Sequence, residues 1–500
     1  MGRKRALLVS ISYVDFKAYA PNSQKECNRD VFFNWSLCPI PNSDNYFYVV
    51  RHYRPPSDAE VIPGNGVLYC EQLEEPGQNC IWNNWHSGEF ADACSIFVGN
   101  HETGHLTYLE RLGGDDMRLC QVHQAVLEAK GKTVNEILSP GDIIVHSSGL
   151  QNVHKVTTNP KGKKYLLHPL SQSCDMEKSF FPMDEKAQGK NQQFIFTKGG
   201  PLILDWVYSH GLQFIYNKSY PQIKRWKTDS FWGKTDRDSF YVGFKSNRKR
   251  LQGAGSLLGN RCLGCLARIE GNFKDACSNC HKSYCNYGIT PAFSFGSNVV
   301  IVEDRGRKFY LGVGHSKITT RNRYMPGSKI EIFRNKVHEQ FRREFGQKYK
   351  RHNGAPDSQG YIYLLYFYLI DSELLMGAFD DVKTRPPREY SKVGYIRKLM
   401  RISDSYLPVD MESWHQTQKY MFSLFFPTGL VVNSDQTISV SCGEGDFYST
   451  LLKFDLKAVI KSCRHDMLNL DMGSYQYHVL GQSAEGRFKC GPTLESVIRK

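Results

Sequence analysis

The stretch Gly113-Gly-Asp-Asp-Met-Arg-Leu119 places two acidic residues and an arginine at the start of an apolar, strand-like run. Two later stretches have the same character. One is Phe309-Tyr-Leu-Gly-Val-Gly-His315, and the other is Phe426-Pro-Thr-Gly-Leu430 followed by Ser439-Val-Ser-Cys-Gly-Glu-Gly-Asp446. Their order and spacing predict strands from several sheets that each point a polar residue at a common centre, as in a β-propeller. Such a centre suits a sugar site, because carboxylates and cations must converge there on a ring of hydroxyl groups.

The composition is that of a globular protein long enough to bury a large core. The chain has 500 residues, of which 40% are hydrophobic, 13% aromatic and 23% charged. This length fits two or three average domains, or one large β domain with insertions. The formal net charge of +14 favours anionic partners such as phosphate, nucleotide-sugars or nucleic acid.

Short strands bounded by Gly, Asn, Asp or Pro recur along the chain and predict an all-β fold. They are 46–52, 143–148, 212–216, 299–302, 308–312, 361–369, 430–432 and 437–441. Helical periodicity is confined to 106–112, 119–129 and a basic segment within 320–358, where apolar residues recur every four positions. The long polar stretches 225–290 and 320–358 are expected to be insertions that decorate the core.

Five of the fifteen cysteines crowd into one of these insertions. Cys262 and Cys265 form one Cys-x-x-Cys pair, and Cys277 and Cys280 form a second. Two such pairs separated by a short loop are typical of a zinc ribbon, since four thiolates satisfy tetrahedral zinc. The spacing predicts a structural Zn²⁺ site, and a reduced, redox-labile thiol cluster is the rival interpretation. The scattered cysteines are expected to be buried and reduced.

No segment has the pattern of a signal peptide or a membrane span. The apolar run 6–11 is short for a secretory leader and lacks a cleavage pattern. The apolar stretch 361–370 is about half a membrane-spanning helix. The sequence therefore predicts a soluble, cytoplasmic protein without a membrane partner.

Four segments together resemble one enzyme family. Gly113–Arg118 is similar to its Gly-x-Glu-Asp-Pro-Arg segment, and Lys190-Asn191 to its Lys-Asn-Trp segment. Tyr310–His315 is similar to a strand ending in Gly-x-x-His, and 427–446 to its Pro-x-Gly-Leu and Ser-Tyr-Gly-x-x-Asp pattern. The family is glycoside hydrolase family 130, the five-bladed β-propellers of mannoside phosphorylases, with the related β-mannosyltransferases. This chain differs at several motif positions, namely Asp115, Met117, Gln192 and Cys442.

The resemblance covers roughly residues 45–455 and implies a domain organisation. Residues 45–455 would form an all-β, five-bladed β-propeller with long insertions. The insertion 225–290 would carry the small zinc-ribbon-like module, and 320–358 the basic helix. Residues 1–44 would be an N-terminal extension and 456–500 a C-terminal extension.

The resemblance also assigns expected roles to residues of this chain. Asp116 would be the proton donor, and two adjacent carboxylates in a half-buried funnel independently favour one with a raised pKa. Arg118 would hold a carboxylate or phosphate through its planar fork. The other expected substrate-binding residues are Asp115, Lys190, Asn191, His315, Lys317 and Asp446. The lysines and the histidine would bind a phosphate or the diphosphate of a nucleotide-sugar, and Asp446 would accept hydrogen bonds from sugar hydroxyls.

The predicted function is mannosyl (or similar glycosyl) transfer or phosphorolysis, with inorganic phosphate or a nucleotide-sugar as co-substrate. Phosphorolysis needs an acid and a phosphate. Hydrolysis needs a second carboxylate to activate water, for which Glu444 or Glu303 is a candidate, so a glycosidase stays open. Two alternatives remain: a non-catalytic carbohydrate-binding or scaffold propeller, and a nucleic-acid-binding protein that uses the basic segment and the zinc ribbon.

Overall fold

The computed structural model is built mostly of β-strands. It describes residues 7–21, 30–54, 59–62, 67–70, 89–114, 116–130, 133–147, 153–158, 165–171, 191–197, 200–206, 211–215, 239–243, 287–288, 292–319, 323–324, 361–375, 399–410, 425–444, 448–466, 476–482 and 490–493. Helix α1 (Leu456–Ser462) and a 3-10 helix (Phe16–Tyr19) accompany the strands.

The strands follow one another through the described ranges. In order they are β1 (Leu8–Tyr13), β2 (Val31–Pro39), β3 (Tyr46–Arg54), β4 (Ala59–Ile62), β5 (Val67–Cys70), β6 (Glu89–Asn100), β7 (His105–Gly113), β8 (Arg118–Gln121), β9 (Val126–Lys130), β10 (Thr133–Leu138), β11 (Ile143–His146), β12 (Val153–Thr158), β13 (Tyr165–Ser171), β14 (Gln193–Thr197), β15 (Gly200–Trp206), β16 (Gly211–Ile215), β17 (Ser239–Gly243), β18 (Tyr287–Gly288), β19 (Ala292–Phe295), β20 (Val300–Asp304), β21 (Arg307–Thr319), β22 (Arg323–Tyr324), β23 (Tyr361–Asp371), β24 (Met400–Ile402), β25 (Ser405–Asp410), β26 (Phe425–Val432), β27 (Thr437–Glu444), β28 (Tyr448–Asp455), β29 (His465–Asp466), β30 (Tyr477–Gln482) and β31 (Cys490–Thr493). This confirms that the chain is predominantly β.

Within the described ranges, four sheets have four antiparallel strands each. Their strand orders are β2-β3-β6-β7, β8-β11-β12-β13, β14-β15-β16-β17 and β26-β27-β28-β1. We call the first strand of each order the inner strand. The inner strand β2 is buried along almost its whole length, whereas β7, at the opposite edge of the same sheet, has many exposed residues. Burial on both faces is expected for strands with other sheets packed on either side.

A larger sheet of nine strands also contains four strand positions side by side, like the four-stranded sheets. β19 and β20 lie end to end along one side of β21, and β23 lies along its other side. β24 and β25 in turn lie along the far side of β23. The remaining strands, β29, β30 and β31, extend the outer edge. The sheet therefore has an inner and an outer strand that are each interrupted once.

A serine fills each interruption in the same way. Between β19 and β20, the backbone N–H of Val313 donates to Ser297 Oγ at 3.1 Å. Between β24 and β25, the backbone N–H of Phe367 donates to Ser403 Oγ at 2.8 Å. Both serine hydroxyls donate in turn to the carbonyl oxygen of the following residue, at 2.7 Å. The hydroxyls replace the missing ladder bonds, since a buried backbone N–H needs a partner.

Hydrogen bonds between different sheets arrange the sheets around a common centre. The bonds run from Leu119 N to Ser36 Oγ, from Arg118 Nη2 to Asn191 Oδ1, from Gln193 Nε2 to Gly296 O, from Leu430 N to Asn298 Oδ1 and from Thr428 Oγ1 to Trp35 O. Each bond joins one inner strand, or the turn beside it, to the next. The last bond returns to the first sheet, so the arrangement is propeller-like, and we call it the ring.

Segments that the sequence places outside the ring contribute strands to its sheets. β1, near the N-terminus, pairs with β28 and completes the sheet that begins with β26. β17, within 225–290, is the last strand of the sheet that begins with β14. β30 pairs with β25 of the nine-stranded sheet. The bounds of the domain stay a prediction.

Two predicted helices are wrong. Residues 106–112 lie in β7, and 119–129 are divided between β8 and β9. The turn around Val122 separates these two strands, and the backbone N–H of Val122 donates to Asp142 O at 2.8 Å. Short apolar runs do not distinguish helix from strand by periodicity, and here the pairing of β8 with β11 decides the outcome.

None of the helices in the described part of the chain has both the length and the apolar character that crossing a membrane requires.

Candidate functional site

Asp116 lies in the turn that leads into the inner strand β8. Its backbone φ is 44°, and its side chain is 16% exposed. Asn34 Nδ2 donates to Asp116 Oδ1 at 2.9 Å, and Arg51 Nη1 donates to the same oxygen at 3.0 Å. An amide and a guanidinium together stabilise the ionised carboxylate. The sheets that begin with β2 and β8 therefore meet at this residue.

Asn34 reaches Asp116 because β2 contains one extra residue. The pairing of β2 with β3 shifts register between Phe33 and Trp35, and Asn34 adopts a left-handed φ of 45° at that point. Asparagine tolerates this conformation better than most residues. A Cβ on Gly443 would lie 1.7 Å from Asn34 Oδ1. The bulge and the glycine together leave room for the Asn34 amide beside Asp116.

Arg51 belongs to β3 and brings a positive charge to the carboxylate. Its guanidinium carbon lies 5.5 Å from the centre of the Phe33 ring. Arg51 is paired in register with Cys94 of β6, whose thiol donates to Gly114 O at 3.4 Å. The strand pair β3–β6 thus carries both the cation and a tether for the turn that holds Asp116.

Arg118 begins β8 and is completely buried. Its Nη2 donates to Asn191 Oδ1 at 2.6 Å, and its guanidinium carbon lies 5.7 Å from the centre of the Phe426 ring. Asn191 precedes β14 and has a left-handed φ of 66°. Arg118 therefore links the inner ends of three sheets through one hydrogen bond and one cation–π contact.

His315, on β21, packs against the same aromatic ring. It is 3% exposed, and its ring centre lies 4.9 Å from Phe426 and 4.8 Å from Tyr363. The structure thus gathers Arg118 and His315 around Phe426, with Asn191 bound to Arg118. Lys317 follows on the same strand, where its backbone pairs with Tyr363.

The glycine-rich stretch of β21 makes room for two tyrosines of β23. Gly312 is directly opposite Tyr368, and Gly314 is opposite Tyr366. A Cβ on Gly312 would lie 2.1 Å from the Tyr368 ring, and one on Gly314 would lie 2.5 Å from the Tyr366 hydroxyl. Both rings therefore cross over β21 toward the inner strands, and Tyr366 OH donates to Ser294 O at 3.1 Å.

Four residues near this centre were missed from sequence: the buried Asn34, His146 and Tyr368, and the partly exposed Arg51. Asn34 is the one with a local signal, because it is a polar residue inside the apolar run Phe32–Leu37. Burial raises the pKa of Tyr368 far above its ordinary value, although the nearby Arg118 charge opposes the shift. Burial lowers the pKa of His146 to about 3, its bond to Ser147 O opposes this, and the Arg118 charge lowers it further.

The two glutamates considered for hydrolysis lie in different surroundings. Glu444, at the end of β27, is 8% exposed, and its Oε2 accepts a hydrogen bond from Thr450 Oγ1 at 2.8 Å. Glu303 is exposed on β20, paired in register with Lys308.

The other predicted site residues lie outside the described residues. These are Asp115, Lys190, Asp446 and the zinc-ligand candidates Cys262, Cys265, Cys277 and Cys280. Among the residues that the structure does describe, no cluster of His, Cys, Asp or Glu could hold a metal ion. The described cysteines that are free are also buried, as predicted: Cys38, Cys94, Cys120, Cys442 and Cys463.

Comparison with known proteins gives only distant structural similarity. No family model and no curated protein matches the chain. One similar solved structure is a hypothetical protein from Leishmania major, with 10% identity, a TM-score of 0.31, and coverage of 86% of this chain and 87% of that one. A mannose phosphorylase from Leishmania mexicana, solved with phosphate, has 8% identity, a TM-score of 0.30, and coverage of 88% and 89%. A GDP-Man-dependent mannosyltransferase from Leishmania mexicana has 8% identity, a TM-score of 0.30, and coverage of 86% of each chain.

Proposed function

We propose that this protein is a carbohydrate-active enzyme that transfers or phosphorolyses a mannosyl (or similar glycosyl) unit, with Asp116 as the proton-transferring residue. The observation that carries the proposal is the environment of Asp116. Asn34 and Arg51 hold its carboxylate at the inner ends of two sheets, and Arg118 follows two residues later. A glycosyl-transfer site needs a carboxylate that substrate can reach, to transfer a proton, and cations nearby to stabilise negative charge.

The scaffold proposed for this site is a five-bladed β-propeller. Four blades are the four-stranded sheets. The fifth is the part of the nine-stranded sheet that runs from β19 and β20 through β21 and β23 to β24 and β25. The closed set of inter-sheet hydrogen bonds supports this count, because each bond joins consecutive inner strands and the last returns to β2. The β1–β28 pairing would close the ring by joining both ends of the chain in one blade.

The ion pair with Arg51 bears on the two directions of proton transfer at Asp116 differently, because it favours the ionised carboxylate over the protonated one. In phosphorolysis, phosphate attacks the anomeric carbon and the bond from that carbon to the glycosidic oxygen breaks. A protonated Asp116 gives its proton to that oxygen, directly or through a sugar hydroxyl, so the other sugar leaves as an alcohol. Arg51 stabilises the carboxylate that remains. In the direction of synthesis or transfer, the ionised Asp116 accepts the proton of the attacking hydroxyl, and this is the form that Asn34 and Arg51 favour.

The cationic side of the site is proposed to bind phosphate or the diphosphate of a nucleotide-sugar. Lys190, His315 and Lys317 would contact the anion, and Asp115 and Asp446 would accept hydrogen bonds from sugar hydroxyls. Arg118 is proposed to hold a carboxylate or phosphate through its planar fork, and its Nη2 also donates to Asn191 at the inner end of β14. The structural zinc on Cys262, Cys265, Cys277 and Cys280 remains a proposal, and stoichiometric zinc in the purified protein would support it.

The test is Asp116→Asn, which keeps the size of the side chain and removes its acid. We expect turnover of a mannoside with phosphate, or of a mannosyl donor with an acceptor, to fall about 10²–10⁴-fold. Substrate binding should change much less. Asp142→Asn is the matched control, because Asp142 is also paired with a cation, Lys155, and its side chain is 19% exposed. The control should keep full turnover.

Two outcomes would overturn the proposal. If sugars bind but neither the wild type nor Asp116→Asn turns them over, the protein is a non-catalytic carbohydrate-binding propeller. If no sugar binds and nucleic acid does, with a steep dependence on salt, the nucleic-acid alternative holds.

A further inference from the structure

Tyr13 and Tyr448 form an aromatic pair on the sheet that begins with β26. Their ring centres lie 5.9 Å apart and the ring planes make an angle of 67°, so the edge of one ring meets the face of the other. Tyr13 is 44% exposed, the highest value among the large hydrophobic residues that the structure describes, and Tyr448 is half-buried. The proposed glycosyl chemistry gives no role to either ring.

Strand register places this pair beside Glu444. Tyr448 is directly opposite Glu444 of β27, and Tyr13 is directly opposite Thr450 of β28. Alternate residues of a strand share a face of the sheet, so Tyr448, Thr450 and the residues opposite them lie on the same side. The bond from Thr450 Oγ1 to Glu444 Oε2, at 2.8 Å, confirms that these two side chains share that face. One face therefore carries two aromatic rings and a carboxylate.

This face lies at the end of its sheet that meets Asn34. Gly443 precedes Glu444, and a Cβ on Gly443 would lie 1.7 Å from Asn34 Oδ1. The Nδ2 of Asn34 in turn donates to Asp116 Oδ1 at 2.9 Å. The two tyrosines belong to β28 and β1, the third and fourth strands from the centre of the ring. The aromatic pair is therefore continuous with the proposed site and lies farther from the centre than Asp116.

Rings beside a carboxylate favour a neutral carbohydrate as the occupant. A sugar ring packs its C–H face on an aromatic ring, while its hydroxyl groups donate to a carboxylate. Burial raises the pKa of Tyr448, and the negative charge of Glu444 raises it further, so the Tyr448 hydroxyl keeps its proton and can donate to a sugar oxygen. A nucleotide base also stacks on aromatic rings, but the Glu444 charge repels the phosphates that a nucleotide brings with it.

We propose that Tyr13 and Tyr448 bind the sugar beyond the transferred unit, the one that leaves in phosphorolysis or accepts in transfer. Glu444 accepts hydrogen bonds from the hydroxyl groups of that sugar. The inference rests on the proposed function, because a glycosyl-transfer site has such a neighbouring sugar position. It gives β1, which the family resemblance leaves in the N-terminal extension, a direct part in substrate binding.

The test is the affinity of the full-length protein for mannose and for an S-linked mannobiose, measured by isothermal titration calorimetry. The sulfur linkage resists cleavage, so binding is measured apart from turnover. We expect the disaccharide to bind wild type more tightly than mannose does. Tyr13→Ala should weaken disaccharide binding about 3–10-fold, the range of a single aromatic contact, and leave the affinity for mannose unchanged.

Tyr13→Phe and Val9→Ala are the controls. Tyr13→Phe keeps the ring and removes its hydroxyl. Val9→Ala shortens an apolar side chain of the same strand at a residue that is 39% exposed. Both variants should bind each sugar about as tightly as wild type does.

Two results would overturn the proposal. One is a Tyr13→Ala variant that binds the disaccharide as tightly as wild type, and the other is weakened binding of a nucleoside diphosphate in place of the disaccharide, which would identify base stacking. Turnover separates this failure from a failure of the proposed function. Weaker disaccharide binding in Tyr13→Ala with full turnover in Asp116→Asn would keep the subsite and remove Asp116 from the chemistry, and the reverse pair of results would keep the chemistry and remove the subsite.

Discussion

Asp116 and Asp404 are two carboxylates that each bind cationic side chains, one at the inner end of the ring and the other at its outer edge. The Asp116 side chain is 16% exposed, and that of Asp404 is 5% exposed. Asp116 sits on a left-handed backbone with a φ of 44°, a conformation that costs free energy and is often kept at functional sites. Asp116, which is the more exposed of the two and sits on the strained backbone, is the one suited to meeting a ligand.

Asp404 instead joins three parts of the chain. It accepts hydrogen bonds from His465 Nε2 at 2.5 Å, His478 Nε2 at 2.9 Å, Arg464 Nη2 at 2.9 Å and the backbone N–H of Gln476 at 3.2 Å. Burial by itself raises the pKa of Asp404, but the bonds from His465 and His478 outweigh it and leave the pKa far below its ordinary value. Four donors match the acceptor capacity of a carboxylate. Asp404 therefore anchors β29 and β30 to β24 and β25 at the outer edge of the nine-stranded sheet.

The largest expected effect is the difference in the free energy of unfolding between Asp404→Asn and Asp116→Asn. Asp404→Asn leaves the donors around a buried position facing an amide, so we expect it to lower the free energy of unfolding by about 3 kcal/mol. Asp116→Asn should lower it by less than about 1 kcal/mol, because the Asp116 pair is partly exposed. Urea unfolding at pH 7 measures both. Equal losses would show that Asp116 is a structural ion pair and would remove the distinction between the two sites.

A smaller expected effect is the pH dependence of the difference in unfolding free energy between wild type and Asp404→Asn. The pKa of Asp404 is depressed in the folded protein, so its contribution is complete above the unfolded value of about 3.9 and is lost as the pH falls through and below that value. We expect the stability difference between wild type and Asp404→Asn to shrink below about pH 4, by up to about 1.4 kcal/mol per pH unit.

His146 does not disturb this measurement. Its pKa is lowered to about 3 in the fold, so the unfolded chain binds the proton first and His146 also costs stability between about pH 6.5 and 3. That loss is the same in wild type and in Asp404→Asn, and it cancels in the difference. A difference that stays constant down to pH 2.5 would contradict the depressed pKa of Asp404.

The strands were predictable where turn residues bound a short apolar run. Residues 437–441 lie in β27 and 361–369 lie in β23, as predicted. The helix predicted at 119–129 was wrong because apolar spacing over so few residues fits either structure. Pairing with a distant strand determines that this segment is β, and that pairing cannot be inferred from the local sequence.

The residues of the candidate site likewise fall into those that a local motif indicates and those that only the fold brings together. Asp116 and His315 stood out because each follows a recognisable local motif. Asn34 and Arg51 contact Asp116 from 82 and 65 residues away, so only the assembled sheets bring them together. The glycines of β21 were noticed as part of a polar motif, but their observed effect is to admit Tyr366 and Tyr368. A glycine indicates that something lies close by without indicating what it is.

The smallest expected effect tests whether Asn34 positions Asp116. Gly443→Ala places a Cβ 1.7 Å from Asn34 Oδ1 and 2.8 Å from Asn34 N, so the amide must move away from the carboxylate. We expect a stability loss of about 1–2 kcal/mol and, if the proposed function holds, a loss of turnover of about tenfold. Gly113→Ala is the control, because a Cβ there meets nothing within 4 Å. It should change neither quantity.

The double variant Asn34→Gly with Gly443→Ala separates the collision at position 443 from the loss of the Asn34 hydrogen bond. Glycine accepts the left-handed φ of 45° at position 34 and removes the side chain that collides with the new methyl group. Stability should therefore recover relative to Gly443→Ala, whereas turnover should stay low, because the hydrogen bond from position 34 to Asp116 is still missing. Recovery of both would mean that the Asn34 amide contributes to packing alone, and that Arg51 suffices to hold the carboxylate in place.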